Sequence, residues 1–364
     1  MGLTEFMERE RRISPLSDRR IEIHTLTSFP MSNPNRDEVG RPKTGTFGQI
    51  ERPRMSSQTK KAAMRRWDEF FQIVGADNKG LRTKCLPGEI YKDLIDGGLT
   101  EELAGDAAAV IGERFAAMDK SGMETSQLVF YGSEELEAIK DLVETLIEKK
   151  RMPRPDELKL LRRTGRSVDL ALHGRMITTD PGYSIEGALS VSHAFTVHAA
   201  TPEIDFFTAV DDLNRELGKA GAAHMGEAIF TSGVYYQYFV LDLDLLLRNL
   251  GGNKDLATKA VTAVMMAIIF AHPAGKRTWS ASYVVSKYVM AERGNACPRT
   301  LADAFIDPVK GPDIAGQSIE RLRALRSNFA KSLDLKGEMY EILASEGIGT
   351  ISELVEFAVK PYKA

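Results

Sequence analysis

Between Leu81 and Leu172 the chain keeps helical spacing through GEIYKDLIDGGL, TEELAGDAAAVIGERFAAM and SEELEAIKDLVETLIEKK. Apolar residues there recur every three or four positions, the period of a helix that buries one face. The flanking texture is different. Upstream, IEIHTLTSF (Ile21 to Phe29) has the spacing of a half-buried first strand. Downstream, RSVDLALHGRM, GALSVSHAFTVHAA and IFTSGVYYQYFVLDLDLLLRNL are rich in β-branched and aromatic residues and read as strands. A helical block of this length is long enough to be an inserted subdomain. KDLATKAVTAVMMAIIFAH reads as a core helix, TWSASYVVSKYVMAER includes a strand, and SIERLRALRSNFAKSLDL is an amphipathic helix. The expected class is α+β, an antiparallel sheet faced by helices.

After the first strand, PMSNPNRDEVGRPKTGTFGQIERPRM is full of Pro, Gly and Asn and reads as a long loop with a short hairpin around Thr44 to Gln49. SSQTKKAAMRRWDEFFQIV then starts a helix, with Ser56 or Ser57 as N-cap. Its expected apolar face is Ala62, Ala63, Trp67, Phe70 and Phe71, and Lys60, Lys61, Arg65 and Arg66 should project from the other side.

Charge adds a constraint. The 364 residues carry a formal net charge of only −3, which speaks against a wholesale nucleic-acid binder. The charge is uneven, however. Arg36 to Arg66 holds nine basic residues against three acidic, and Lys149 to Arg166 holds eight against two. Each stretch is +6, so the rest of the chain is −15. Two basic patches on an acidic body hold a polyanion in one place and repel it elsewhere. The two cysteines, Cys85 and Cys297, lie far apart and form no metal or disulfide pattern, so a reducing, cytoplasmic setting is expected. The charged N-terminal stretch lacks the apolar core of a signal peptide, and no apolar run is long enough to cross a bilayer, so no membrane partner is expected.

The stretch IEIHTLTSFPMSNPNRDEVGRPKTGTFGQIERPRMSSQTKKAAMRR resembles the repeated backbone subunit of the type I-E CRISPR surveillance complex, Cascade. The similarity resumes in VDLALHGRMIT, SVSHAFTVH, IDFFTAVDDL, AAHMG, FTSGVYYQY and NLGG, in the family's order. The resemblance implies a hand-shaped protein. Its palm is a modified ferredoxin-like sheet related to RNA-recognition domains (21–66 and 167–364), its fingers are the helical insertion (67–166), and its thumb is a hairpin-like projection (about 199–228). Residues 1–20 form a charged arm ahead of the palm. The resemblance further implies copies stacked on a CRISPR guide RNA as a hexameric helical filament, each thumb displacing one nucleotide from the hybrid with the target DNA strand. Other Cascade subunits and a recruited helicase-nuclease are the implied partners. The subunit itself needs no cofactor or metal and cuts nothing.

A subunit that serves any guide reads phosphate, sugar and stacking faces, because base-edge contacts would restrict the spacers it carries. The resemblance places guide contacts at Arg36, Lys43, Ser56, Gln58, Lys61 and Arg65. Ser57 at the helix N-terminus suits a phosphate, and Lys60 is an extra lysine, so either Lys60 or Lys61 touches phosphate. Arg175 and Met176, after a strand-like segment, join the RNA-binding set with Phe207; the resemblance makes Met176 and Phe207 a wedge beside the displaced nucleotide. The second basic cluster reads either as a solvated helix face or as a path for DNA. The histidines, including His193, show no metal spacing and read as core or hydrogen-bonded groups.

Two rival functions remain. One is a metal-dependent, RNA-cleaving subunit of the type III kind, using Asp211 and Asp212. The other is a free-standing RNA chaperone.

Overall fold

The computed structural model describes residues 20–210, 222–294 and 297–363. In chain order the strands are β1 (Arg20–Ser32), β2 (Thr44–Phe47), β3 (Ile50–Met55), β4 (Leu81–Thr83), β5 (Val129–Tyr131), β6 (Leu189–Val191), β7 (Ala194–Thr196), β8 (Glu203–Val210), β9 (Ala222–Asp242), β10 (Ser286–Gly294) and β11 (Gly337–Leu343). The helices are α1 (Ser57–Arg65), α2 (Asp68–Val74), α3 (Leu86–Asp96), α4 (Glu101–Glu113), α5 (Ser133–Lys149), α6 (Val168–His173), α7 (Leu243–Asn249), α8 (Lys254–Phe270), the single turn α9 (Arg277–Ser280), α10 (Ile314–Ser332) and α11 (Ile351–Lys363). The chain is α+β and divides into two units. One takes in residues through Trp67, Val191–Val240 and Val264–Ala358; the other takes in Asp68–Ser190, Leu241–Ala263 and the residues from Val359 on.

The first unit is built on a sheet with strand order β11-β10-β1-β9-β7-β3-β2, and β8 also pairs with β9. The pairings β1–β10, β10–β11, β2–β3, β3–β7, β7–β9 and β8–β9 are all antiparallel. β1 is central and is buried on both faces, where the sequence suggested one. Ile21 and Ile23 lie on one side, and Leu26, at the other parity, joins Tyr236, Tyr288, Met290 and Phe305 in a core cluster on the opposite side.

That second face also holds a polar cluster. His24 Nδ1 lies 2.9 Å from the Tyr236 hydroxyl, and Arg299 reaches both Glu22 and Glu292. Burial, aided by Arg299 and Arg326, pushes the His24 imidazole down to about 3, so its 3.7 Å approach to Glu292 is not an ion pair at neutral pH. Below its ordinary 6.5 the unfolded chain takes up a proton that folded His24 refuses. Stability contributed by this site is therefore lost as pH falls from 6.5 towards 3, at up to about 1.4 kcal/mol per unit. Urea midpoints at pH 7 and pH 5 should draw closer together in His24→Gln than in the wild type; an unchanged gap would contradict this.

The second unit buries α3, α4 and α5 against one another. Ile90 and Leu94, then Ala104, Ala107, Ala108 and Ile111, then Ile139, Leu142, Val143 and Leu146 supply the apolar stripes. β4 and β5 form a two-stranded ribbon within it.

Three local readings change. VDLALH is helix α6, not a strand: Val168 to Leu172 are all buried, and an apolar run buried on every side carries no period that separates helix from strand. LDLLLRN is helix α7, started by Asp242, whose carboxylate accepts the Leu245 N–H at 2.8 Å. SSQTKKAAMRRWDEFFQIV is two helices separated at Arg66 and Trp67, with Asp68 opening the second.

Candidate nucleic-acid interface

Ser56 caps α1: its hydroxyl accepts the Thr59 N–H and lies 2.9 Å from the Thr59 hydroxyl. Its own N–H donates to Asn35 Oδ1 at 2.8 Å, while the Asn35 carbonyl accepts the Lys43 N–H at 3.0 Å. One residue thus fastens the loop carrying Arg36 and the strand approach carrying Lys43 to the start of α1. The Ser57 N–H donates to His193 Nδ1 at 3.2 Å, and the Ser57 hydroxyl to Gln58 Oε1. Arg36 and Gln58 are exposed, and Lys43, Ser57, Lys61 and Arg65 are half-buried. Burial pushes the Lys61 ammonium down from its ordinary value. On α1, residues 57, 58, 61 and 65 share a surface, so the fold brings cations and the start of α1 to one area within the sheet unit.

Two members of the sequence set leave that surface. Lys60 is only 1% exposed, and its ammonium donates to the carbonyls of Ala267, Ile268 and Ala271 at 3.2, 3.0 and 2.7 Å. It adds a donor to the carbonyls at the end of α8, of which that of Ala267 also accepts the Ala271 N–H and that of Ile268 the Ser286 hydroxyl. The buried stripe of α1 is therefore Lys60 and Met64, not Ala62 and Ala63. Of the adjacent lysines, Lys61 is the one left at the surface.

Arg175 is buried in the helical unit. It binds both carboxylate oxygens of Glu135 and donates to the carbonyls of Phe130 and Arg162 at 3.0 and 2.9 Å. It is a structural cation with no face for RNA. Arg52, counted in the first basic patch, is likewise buried, on the carbonyls of Thr196, Phe305 and Ile306.

Met176, in the helical unit, is 76% exposed. Phe207, on β8 of the sheet unit, is 42% exposed and faces Gly226 across the ladder, where a Cβ would stand 2.6 Å from the tip of the Phe207 ring and push the ring aside. β8 is exposed from Glu203 to Ala209. Asp211 and Asp212 lie outside the described residues, as does all of the N-terminal arm before Arg20. The second basic cluster does not form a helix face: past Lys150, which ends α5 with φ of 45°, residues 151–166 are irregular. Arg151 pairs with Glu157, and Arg166 with Glu137, while Lys149, Lys150, Arg154, Lys159, Arg162 and Arg163 are exposed. Among the described residues no group of three His, Cys, Asp or Glu is arranged to hold a metal, and no helix is long and apolar enough to cross a membrane.

Residues 21–359 match the family described as CT1975-like protein. The chain belongs to that family. The CT1975-like fold is also that of a chain from a "CRISPR RNA-guided surveillance complex, pre-nicking", with a TM-score of 0.79 and 27% identity over 94% of this chain and all of that one. A chain from a second "CRISPR RNA-guided surveillance complex" shares the fold, with a TM-score of 0.70 at 22% identity, covering 94% of this chain and 99% of the other. Curated proteins give no match. The resemblance carried by the SSQTKKAAMRR and FTSGVYYQY blocks to a Cascade backbone-type subunit is supported by these findings. Asn35 is the residue of this surface that sequence reading passed over, while His193, read as a core or hydrogen-bonded histidine, accepts the Ser57 N–H. Asn35 had only its place in an Asn-rich loop as a signal, and His193 reaches Ser57 from 136 positions away.

Proposed function

We propose that the chain is a guide-RNA-binding backbone subunit of a type I-E-like Cascade complex, acting without catalysis of its own. It grips the RNA backbone irrespective of sequence, repeats along the guide as a homo-oligomer, and presents the guide in segments for pairing with target DNA. The observation that carries this is the junction at Asn35, which holds Arg36, Lys43 and the N-terminal turn of α1 in one place on a fold shared with a surveillance-complex chain. Phosphates bind there by charge and by the positive end of the α1 dipole, and neither reads base identity. The exposed strand β8 with Phe207 fits the thumb, and the helical unit, which carries the exposed Met176, fits the fingers.

Binding to single-stranded RNA should weaken with salt at a slope of about −0.7 per phosphate contact and be indifferent to spacer sequence. Lys61→Ala with Arg65→Ala should flatten that slope by about 1.4. A flat salt dependence in the wild type, or strong sequence preference, would contradict the reading. Sequencing RNA that co-purifies with the chain tests the partner: spacer-length fragments flanked by repeat are expected, and random cellular RNA would indicate a chaperone.

A further inference from the structure

Between Asp255 and Glu292 the chain contains no acidic residue, yet it carries Lys259, Lys276, Arg277 and Lys287. In the middle of this stretch the segment linking α8 to β10 exposes two large rings, Trp279 at 48% and Tyr283 at 78%. Rings of that size bury readily in a fold, so their exposure on one short segment marks a contact surface. The segment is held in shape. Lys276 and Ala281 both adopt left-handed backbone, with φ of 48°, and flank α9 on either side. Such conformations are disfavoured for residues with a Cβ and persist where the surroundings impose them. The Ala281 N–H donates to the Arg277 carbonyl at 2.7 Å, the Ser280 hydroxyl to Ser282 at 2.9 Å, and the Arg277 guanidinium to the His272 carbonyl at 2.9 Å. Cations accompany the rings: the Lys276 ammonium lies 5.9 Å from the Trp279 centroid, and the Arg277 guanidinium 5.0 Å from that of Tyr283.

The segment is rooted beside the interface described above. A Cβ on Gly275 would come within 2.6 Å of the Pro34 carbonyl and 2.8 Å of that of Asn33, so only glycine allows it to meet the loop that carries Arg36. Ala274, Gly275 and Arg277 line a groove of about 470 Å³ together with Thr59, Ala63 and Arg66 of α1.

We propose that Trp279 and Tyr283 stack on unpaired nucleotides of the RNA strand whose phosphates α1 holds, with Lys276 and Arg277 on the adjoining phosphates. This rests on the reading of α1 as an RNA site. Stacking on a ring is tolerant of base identity, so it suits a subunit that carries any guide. Charge favours a polyanion as occupant: the segment supplies cations and no carboxylate.

The chain has two tryptophans, Trp67 and Trp279, so Trp67→Phe leaves Trp279 as its sole indole. The full-length variant is titrated with a labelled single-stranded RNA of mixed sequence, following RNA anisotropy, indole emission and acrylamide access together. Trp279 emission should fall, and acrylamide access with it, in step with the anisotropy rise. Trp279→Ala and Tyr283→Ala should each weaken RNA binding about tenfold without changing the salt slope, and Trp279→Phe should recover most of the loss. Lys276→Ala with Arg277→Ala should flatten the slope by about 1.4. RNA that binds through Lys61 and Arg65 while Trp279 emission and access stay unchanged overturns the stacking site and leaves α1 as an RNA site standing. Absence of RNA binding in the wild type overturns both. If Trp279→Ala instead abolishes self-association in sedimentation without RNA and leaves RNA affinity intact, the surface joins copies of the chain and the proposal falls.

Discussion

Arg175→Ala should loosen the helical unit by about 3–5 kcal/mol, a large part of the stability of an ordinary domain. Removing the guanidinium leaves Glu135 as an uncompensated buried carboxylate, since both side chains of the pair are nearly inaccessible to water. Glu135→Ala should be at least as severe, because this carboxylate also accepts the Gly132 N–H at 2.8 Å and the Arg162 N–H at 2.7 Å. It thereby caps α5 and pins the irregular segment that follows. An isolated buried ion pair can often be exchanged for apolar residues without loss. Here Glu135→Leu with Arg175→Met should recover only part of the stability, because two amide groups remain without acceptors. Hydrogen exchange of the α5 amides and of Arg162 is the measurement. Exchange in Arg175→Ala as slow as in the wild type would sink the argument.

Lys60→Met should cost roughly 1–3 kcal/mol at pH 6, where the Ala271 carbonyl loses the ammonium as donor and those of Ala267 and Ile268 keep only the Ala271 N–H and the Ser286 hydroxyl. The pH dependence distinguishes this from simple loss of packing. Burial pushes the Lys60 ammonium from its ordinary 10.5 down to about 7. Between those values the unfolded chain holds a proton that the folded chain lacks, so wild-type stability rises with pH across this window and is lost as pH falls back through it. The slope is up to about 1.4 kcal/mol per unit. Urea midpoints measured from pH 7 to pH 10 should climb in the wild type and lie flatter in Lys60→Met, and parallel curves would contradict the assignment. Lys60→Met should also weaken RNA binding through α1 while leaving the salt slope unchanged, since no phosphate contact is removed.

Much of this interface is legible in the sequence because its signals are local. Ser56 before a helical run announces a cap, and the turn residues near Thr44 to Gln49 announce the β2–β3 hairpin, whose register pairs Phe47 with Ile50. What is not legible depends on partners far along the chain. Nothing near Lys60 says that α8 ends against it, some 207 positions later, with carbonyls turned to its side chain. Nothing near Arg175 reveals Glu135, 40 positions earlier. Counting charge therefore overstated the first patch: of its nine cations, Arg52 and Lys60 are interior. It also missed Trp279 and Tyr283, whose setting is marked by the absence of carboxylates and not by a density of cations.

The buried lysine has a mechanical consequence. Tension applied by a bound strand to Lys61 and Arg65 enters a helix of only nine residues, which alone would unwind readily. The neighbouring Lys60 passes that tension into the final turn of a 17-residue helix through three carbonyls, as a rivet shares load between a thin plate and a beam. A strand under pull should therefore detach from α1 by releasing phosphates before α1 itself gives way, and with Lys60 replaced the order should reverse.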